Sequence, residues 1–223
     1  MEKFLGILFC GGRGVRLGEI TRFISKSFLP IYDRPVFRYG LDLLESANCI
    51  DEILILSNHD NNQELEKLGY PTIIQNDDVV FDMFSGWEFI KKVTGTQKNA
   101  VLVPSDNVTD ISVDQLVECF TEKKAHLVFS LYPVPDRQKL SQMGCYDLDA
   151  REFYYKHPDP PTEFGVIAPY VVSHSLQTGS GDHILNHPNA AVHLHNGYWF
   201  DIGDYDSIIE AAAFIKSRKT EEI

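Results

Sequence analysis

Residues that could bind phosphate stand near the beginning of the chain. Gly11–Leu17 reads GGRGVRL and directly follows a short apolar run, and Lys26 comes shortly after it. Backbone N–H groups of a glycine-rich turn form an anion-binding concavity, and arginine adds a planar fork of donors. The string is not a Walker loop, and Leu17 occupies the third glycine position of a dinucleotide fingerprint. The local pattern therefore leaves two interpretations open: a phosphate-binding turn, or a plain turn with solvated arginines.

Two aspartates each follow a predicted strand. Asp106 follows the apolar run 100–103, which places it at the carboxyl end of a predicted parallel strand, where open α/β sheets bind ligands. Asp201 follows a second short strand pattern, 198–200. Taken alone, Asp106 could form an Asx turn before Asn107, and Asp201 could cap a turn.

Charge and composition limit the partners that this chain could bind. The 223 residues carry a formal net charge of −12, and 43% of them are hydrophobic. Nucleic acid and anionic membranes both need broad positive surfaces, so neither is expected as a partner. No apolar run approaches the roughly 20 residues that span a bilayer, and the first residues lack a signal-peptide pattern. We expect a cytoplasmic protein whose local basic cluster binds a specific anion. That cluster comprises Arg13, Arg16, Arg22, Lys26 and Arg34.

Cysteine and histidine patterns do not predict a zinc site. The cysteines are scattered without zinc-type spacing, which favours reduced thiols. His193 and His195 alternate on one predicted strand, but no third ligand is at hand, so a packed or solvated strand face is favoured. The four cysteines are Cys10, Cys49, Cys119 and Cys145.

Periodic patterns predict the elements that must position these groups. In the first half, apolar runs alternate with helical patterns, which is typical of a βαβ sheet. Predicted strands there are 4–10, 52–57, 72–75 and 100–104, and predicted helices begin at Pro35, Phe81 and Val113.

The second half has a different pattern. Predicted strands are 126–132, 145–148, 152–156 and 164–168, and a helical pattern covers 206–218. Asn196-Gly197 lies between two further strands and is a strong hairpin signal. We therefore expect one α/β domain over residues 1–223. It has a Rossmann-like, mostly parallel central sheet flanked by helices, with antiparallel strands added in the second half.

Longer strings of this chain resemble the sugar-phosphate nucleotidylyltransferases, most closely those that act on glucose 1-phosphate and dTTP. After GGRGVRL the chain reads SKSFLPIYDRP, which is similar to the lysine-containing string of that family. Looser similarity continues in VPSDN, MGCYDLD and YWFDIGDYDSIIEA, so it covers nearly the whole chain.

The resemblance implies a reaction and a set of roles. A sugar 1-phosphate attacks the α-phosphorus of a nucleoside triphosphate, and pyrophosphate leaves. Residues 1–125 would form the nucleotide-binding half, and residues 126–223 the sugar-phosphate-binding half with the C-terminal helix. The implied catalytic residues are Arg16, Lys26 and Asp106; the nucleotide-binding residues are Gly11, Gly12 and Gln75; the sugar-phosphate-binding residues are Gly144, Lys156 and Asp182; and the Mg²⁺ ligands are Asp106 and Asp201.

Several departures from the family pattern leave the substrates open. The string QNDDVVFDMFSG replaces the family's Pro-rich turn and Gly-Leu-Ala run, and it adds Asp77, Asp78 and Asp82 near the expected base and sugar. Ser105 stands in the glycine position of the family's GDN motif. The alternatives to dTTP and glucose 1-phosphate are CTP or UTP with another phosphorylated acceptor, and a nucleotide-sugar-binding homologue without turnover. The subunit count stays open, a homo-oligomer included.

Overall fold

Most of the predicted strands and helices form near their expected bounds. The computed structural model describes residues 2–12 and 14–221. In chain order the elements are β1 (Phe4–Cys10), β2 (Pro30–Ile31), β3 (Arg34–Pro35), α1 (Phe37–Ser46), β4 (Ile50–Ser57), α2 (His59–Glu66), β5 (Thr72–Ile74), α3 (Met83–Thr94), β6 (Ala100–Pro104), β7 (Asn107–Thr109), α4 (Val113–Glu122), β8 (Leu127–Pro133), α5 (Arg137–Leu140), β9 (Gly144–Asp147), β10 (Glu152–Tyr155), β11 (Phe164–Val172), β12 (Ala190–Leu194), β13 (Trp199–Asp201) and α6 (Tyr205–Glu221).

A nine-stranded mixed sheet forms the centre of the molecule. Its parallel part has the order β6-β1-β4-β5, and β1 pairs in parallel with both β4 and β6. The antiparallel part is built around β11, which pairs with β6, β8 and β9. β9 also pairs with β10, and β12 joins in parallel beside β8. The expected fold class, a mostly parallel centre with added antiparallel strands, is confirmed.

Helices bury both faces of this sheet. Alternate residues of β1 point to opposite faces: Phe4 and Leu8 pack with α1 and α4, whereas Leu5 and Ile7 pack with α3. A third apolar cluster lies under the candidate site, where Ala211 and Ile215 of α6 pack against Leu17, Leu29, Ile31, Val108 and Ile202. The C-terminal helix therefore supports the segments that follow β1, β6 and β13.

Helix α3 begins at a capping box in which Asp82 accepts a hydrogen bond from the Ser85 backbone N–H at 2.7 Å. One turn further along, Glu88 accepts from the backbone N–H and the hydroxyl of Thr178, at 2.6 and 3.0 Å, and from the Lys91 ammonium at 3.0 Å. Although burial acts in the opposite direction, these donors leave the pKa of Glu88 lowered. They tie α3 to the segment after β11.

Two local predictions are wrong. Helix α1 begins at Phe37, and Pro35 pairs with Pro30 in a short two-stranded ladder. Asn196-Gly197 does not form a hairpin, because β12 pairs with β8 whereas β13 pairs antiparallel with β7. A type I′ turn needs positive φ at both central residues, and neither residue has it. The glycine instead gives room to Asp110, whose Oδ1 would lie 2.1 Å from an added Cβ.

The four cysteines are free thiols, and three of them are buried. Among the helices within residues 2–12 and 14–221, none is long and apolar enough to span a lipid bilayer.

Candidate active site

Lys26 and Asp106 form a close ion pair at the carboxyl ends of the parallel strands. Lys26 opens a 3₁₀ turn, Lys26–Phe28, and its side chain is only 9% exposed. Its Nζ lies 2.5 Å from Asp106 Oδ2, and the Asp106 side chain is 28% exposed. A lysine and a carboxylate that are 80 residues apart in sequence thus meet at the edge of the sheet where α/β folds bind ligands.

Asn107 joins Asp106 to Asp201. The pairing of β7 with β13 places Asp201 opposite Asn107. The Asn107 Nδ2 lies 3.2 Å from Asp106 Oδ1 and 3.4 Å from Asp201 Oδ1, so one amide donates to both carboxylates. Its own oxygen accepts from Trp199 Nε1 at 2.9 Å, which fixes the orientation of the amide. The two predicted metal ligands therefore lie on one small, ordered ladder.

Burial raises the pKa of Asp201, and the nearby Asp106 carboxylate adds to the shift, whereas Lys26 and Arg16 oppose it. Arg16 Nη2 lies 3.5 Å from Asp201 Oδ2, which is the upper limit of a hydrogen-bond distance. The Arg16 side chain is 71% exposed and is free to change partners. Its guanidinium lies over Gly203, where an added Cβ would come within 2.9 Å of three guanidinium atoms. Arg16 thus lies beside Asp201 and Gly203, with most of its side chain exposed.

The glycine turn lies against Gln75, the residue after β5. A Cβ on Gly11 would lie 1.9 Å from Gln75 Oε1, so only glycine allows this approach. Gln75 Nε2 donates to Asp77 Oδ1 at 2.7 Å, and this contact orients the amide. Gly12 is exposed, with no atom within 4 Å of an added Cβ. Arg13 lies outside the described residues.

One cleft of about 210 Å³ is lined by part of this set, whereas Arg16, Asn107 and Asp201 lie outside its lining. It brings together Gly11, Gly12, Lys26, Gln75 and Asp106, all of which the sequence predicted. Its remaining lining includes Asp82, which the sequence analysis expected near the base and sugar, and Ser105, which stands in the glycine position of the family's GDN motif. Ser27, to which the sequence analysis gave no role, and the 71% exposed Phe81 also line it.

The three predicted sugar-phosphate residues lie outside the lining of this cleft. Asp182 comes closest to it, because the neighbouring Gly181 N–H donates to the cleft residue Asp82 at 2.6 Å. Burial raises the pKa of Asp182, and Asp82 adds to the shift, whereas Lys156 is among the groups that oppose it. Asp82 and Lys156 are thus close enough to Asp182 to influence its charge.

Gly144 has a packing reason to be glycine. An added Cβ would lie 2.5 Å from the Phe153 ring on the paired strand β10. Lys156 follows β10 with a positive φ of 46°, and its N–H donates to the Met143 carbonyl. This pair of strands holds Lys156 in place through backbone contacts.

His193 and His195 have partners in other elements. His193 Nδ1 lies 3.3 Å from the Ser130 hydroxyl, and His195 Nε2 lies 3.1 Å from the Tyr198 carbonyl. Sequence reasoning missed Asn107 as a site residue, although VPSDN contains it. Ser27 and Trp199 carried no separate signal, and Ser105 was noted only as a departure from the family's GDN motif.

The donor set at Asp106 and Asp201 fits Mg²⁺ better than a metal that is held by protein alone. Among the described residues, no group of three or more His, Cys, Asp or Glu side chains could hold a metal ion. Mg²⁺ commonly binds one or two carboxylates and takes its remaining oxygens from phosphates and water. Two carboxylates that share the Asn107 amide, beside a glycine turn, fit that arrangement.

Comparison with known proteins gives consistent results. The low-salt glycan biosynthesis nucleotidyltransferase Agl11 of Haloferax volcanii is 24% identical over an alignment that covers 96% of this chain and 67% of that protein. Glucose-1-phosphate thymidylyltransferase of Mycobacterium tuberculosis is also 24% identical, over 95% of this chain and 82% of that protein. The structure of a UDP-glucose pyrophosphorylase with UDP-glucose superposes with a TM-score of 0.80 at 16% identity, over 98% of this chain and 100% of that one, which shows a shared fold.

The resemblance to nucleotidyltransferases that the sequence indicated is therefore confirmed, whereas the relatives differ in the substrates that their names give. A family model described as the MobA-like NTP transferase domain matches residues 6–154. Because this match extends from within β1 to within β10 and covers more than half of the chain, the chain belongs to the MobA-like NTP transferase domain family.

Proposed function

We propose that this protein transfers a nucleotidyl group from a nucleoside triphosphate to a sugar 1-phosphate. An oxygen of the sugar phosphate forms a bond to the α-phosphorus, the bond from the α-phosphorus to the bridging β-phosphate oxygen breaks, and pyrophosphate leaves. The observation that carries this proposal is the Lys26–Asp106–Asn107–Asp201 arrangement beside the glycine turn.

The reaction asks the protein to hold two polyanions in line and to offset the charge that develops between them. Lys26 is buried at the floor of the cleft and would meet the phosphates near the point of attack. Arg16 is exposed beside Asp201 and would exchange its long contact with that carboxylate for the triphosphate and the leaving pyrophosphate. Backbone N–H groups at Gly11 and Gly12 would approach the nucleotide.

Asp106 and Asp201 are the residues that would hold Mg²⁺. When bound, this ion would supply Lewis-acid stabilisation of the reacting phosphoryl group. Asn107 would keep the two carboxylates at a fixed separation, because its amide donates to both and is itself held by Trp199.

The substrate pair that we propose to test first is dTTP with glucose 1-phosphate, which matches the name of the Mycobacterium relative. A second candidate is CTP or UTP with another phosphorylated acceptor. Asp82 lines the cleft and lies near Asp182, and this favours an acceptor that offers hydroxyls or a positive group there. Gln75 would read the base edge, with its amide oriented by Asp77.

A homologue that binds nucleotide sugars without turnover would have no need for the whole set of charged groups. The closeness of Lys26 to Asp106, and of Asp106 to Asp201, supports an enzyme over that alternative.

The test is a panel of four nucleoside triphosphates against several sugar phosphates and other phosphorylated acceptors, scored by pyrophosphate release with Mg²⁺ present. We expect one pair to exceed the others by at least about tenfold, because a site that hydrogen-bonds its substrate discriminates strongly. Binding of a nucleotide sugar without pyrophosphate release from any pair would support the non-catalytic alternative instead.

A further inference from the structure

Two serine hydroxyls meet at the positions next in sequence to Lys26 and Asp106. Ser27 Oγ and Ser105 Oγ are 2.9 Å apart and share a hydrogen bond, although the two residues are 78 positions apart in sequence. Both residues line the cleft, yet Ser27 is only 1% exposed and Ser105 only 4% exposed. A buried hydroxyl that loses its partner destabilises the fold, so this contact favours one arrangement of the two segments.

The thiol of Cys10 is the third member of the group. It is fully buried at the end of β1; burial raises the pKa of this thiol to about 12, and the nearby Ser105 and Ser27 side chains act in the opposite direction. We call Cys10, Ser27 and Ser105 the buried polar cluster. Its three members come from three separate parts of the chain: the end of β1, the 3₁₀ turn and the end of β6.

Each member of the buried polar cluster is the immediate neighbour in sequence of a candidate site residue. Cys10 precedes Gly11, Ser27 follows Lys26 and Ser105 precedes Asp106. The Ser27–Ser105 hydrogen bond therefore helps to set the separation of Lys26 and Asp106, and Cys10 packs beside it at the start of the glycine turn.

We propose that Ser27 and Ser105, together with Cys10, are positioning residues that hold Lys26 and Asp106 in register while those two exchange partners during the reaction. This inference rests on the proposed function. The Lys26 ammonium must contact a phosphate during the reaction, and its ion pair with Asp106 then weakens. The serine–serine contact is neutral and shielded from water, so substrate charge does not compete with it. It would keep the 3₁₀ turn against β6 throughout the reaction cycle.

The resemblance shows why this arrangement belongs to this chain. The family motif has glycine where Ser105 stands, and a glycine could not make the contact. Ser105→Gly is thus a substitution that the fold is expected to tolerate, and it complements the double variant Ser27→Ala/Ser105→Ala.

The matched control is Ser130→Ala. Ser130 is also fully buried and has one hydrogen-bond partner, the His193 ring at 3.3 Å, but it lies on β8 outside the cleft lining. Its removal should change thermal stability to a similar degree and leave kcat at the parent value.

Two readouts test the proposal on the full chain. The first is the pair of kinetic constants, kcat and KM, for the best substrate pair. In the double variant and in Ser105→Gly, kcat should fall about tenfold, whereas KM for the triphosphate should change less than about threefold. This pattern is expected for an interaction that acts in the transition state. The second readout is the rate at which acetic anhydride acetylates Lys26, followed by mass spectrometry without substrate. This rate should rise several-fold in both cluster variants and not in Ser130→Ala.

Unchanged kcat and unchanged Lys26 acetylation in folded cluster variants would overturn the proposal. An equal change in Ser130→Ala would also overturn it, since that would indicate a general loosening of the fold. If the parent protein shows no turnover with any pair, the proposed function fails, and the acetylation rates alone then decide whether the buried polar cluster positions Lys26.

Discussion

Replacing Asp106 with Asn should harm stability and catalysis for two separate reasons, which a second substitution can separate. The Lys26 side chain is 9% exposed, and its ammonium lies 2.5 Å from the carboxylate. Removal of one partner from a buried ion pair costs roughly 3–5 kcal/mol, because the other charge remains buried. Since Asp106 is 28% exposed, solvent should reduce this to about 2–3 kcal/mol for Asp106→Asn. For a domain of this size that loss corresponds to about 5–10 °C in Tm.

The double variant Lys26→Met/Asp106→Asn should recover most of that stability. Both charges are then absent, and replacing a buried ion pair by uncharged side chains of similar volume is often neutral, so we expect stability within about 1 kcal/mol of the parent. Turnover should stay at least about 10²-fold below the parent in both variants, because two groups that would offset charge in the transition state are missing.

The assays are thermal unfolding and pyrophosphate release on the same samples. Asp51→Asn is a suitable control, because Asp51 pairs with Lys98 at 2.9 Å in an exposed position and its loss should cost less than about 1 kcal/mol. The reasoning is refuted if the double variant is as unstable as Asp106→Asn, or if it regains turnover. Asp201→Asn keeps the Lys26 pair and should lower turnover with a smaller loss of Tm.

Three further predictions concern single residues. Arg16→Lys should lower kcat by about tenfold and weaken triphosphate binding less, since lysine lacks the planar fork. Steady-state kinetics equal to those of the parent would show that Arg16 has no part in catalysis. Gly11→Ala should push the Gln75 amide aside and lower discrimination between bases by roughly tenfold, as the loss of one well-placed hydrogen bond would. Gly12→Ala is the control, because an added Cβ there meets open space. Equal effects of the two substitutions would contradict the assignment of Gln75 to base recognition. Glu88→Gln should lower Tm at pH 7. Because the folded-state pKa of Glu88 is lowered, its stabilising effect is present above the unfolded pKa of about 4.3 and is lost as pH falls through the folded value. The Tm difference should therefore shrink as the pH is lowered below about 4.3, and a constant difference would refute the linkage.

Local patterns were sufficient to predict the strands that form the parallel centre. Those strands are short apolar runs with clear boundaries, so their bounds differ from the observed ones by two residues or fewer. The Asn196-Gly197 signal failed because a hairpin also needs a free pair of strand edges, and β8 and β7 each offered a separate edge to the two flanking strands. A dipeptide cannot predict which distant strand a segment will pair with.

The site was predictable as a set of residues and only partly as an arrangement. The family strings identified Lys26, Asp106 and Asp201, but they could not show that Asn107 bridges the two carboxylates. The contact of Ser27 with Ser105 likewise depends on how the 3₁₀ turn packs on β6, a tertiary property that neither serine indicates by itself.

Strand β11 has a consequence for how the chain can fold. It pairs with β6 through residues Tyr170–Val172, and without it β6 would present a row of unpaired backbone groups on a strand made of buried residues. Exposed edges of this kind invite pairing with other chains. A fragment that stops at residue 154, where the family match ends, would retain β6 and lose its cover. During synthesis the same edge stays open until β11 has emerged, so the growing chain is most prone to aggregate in that interval.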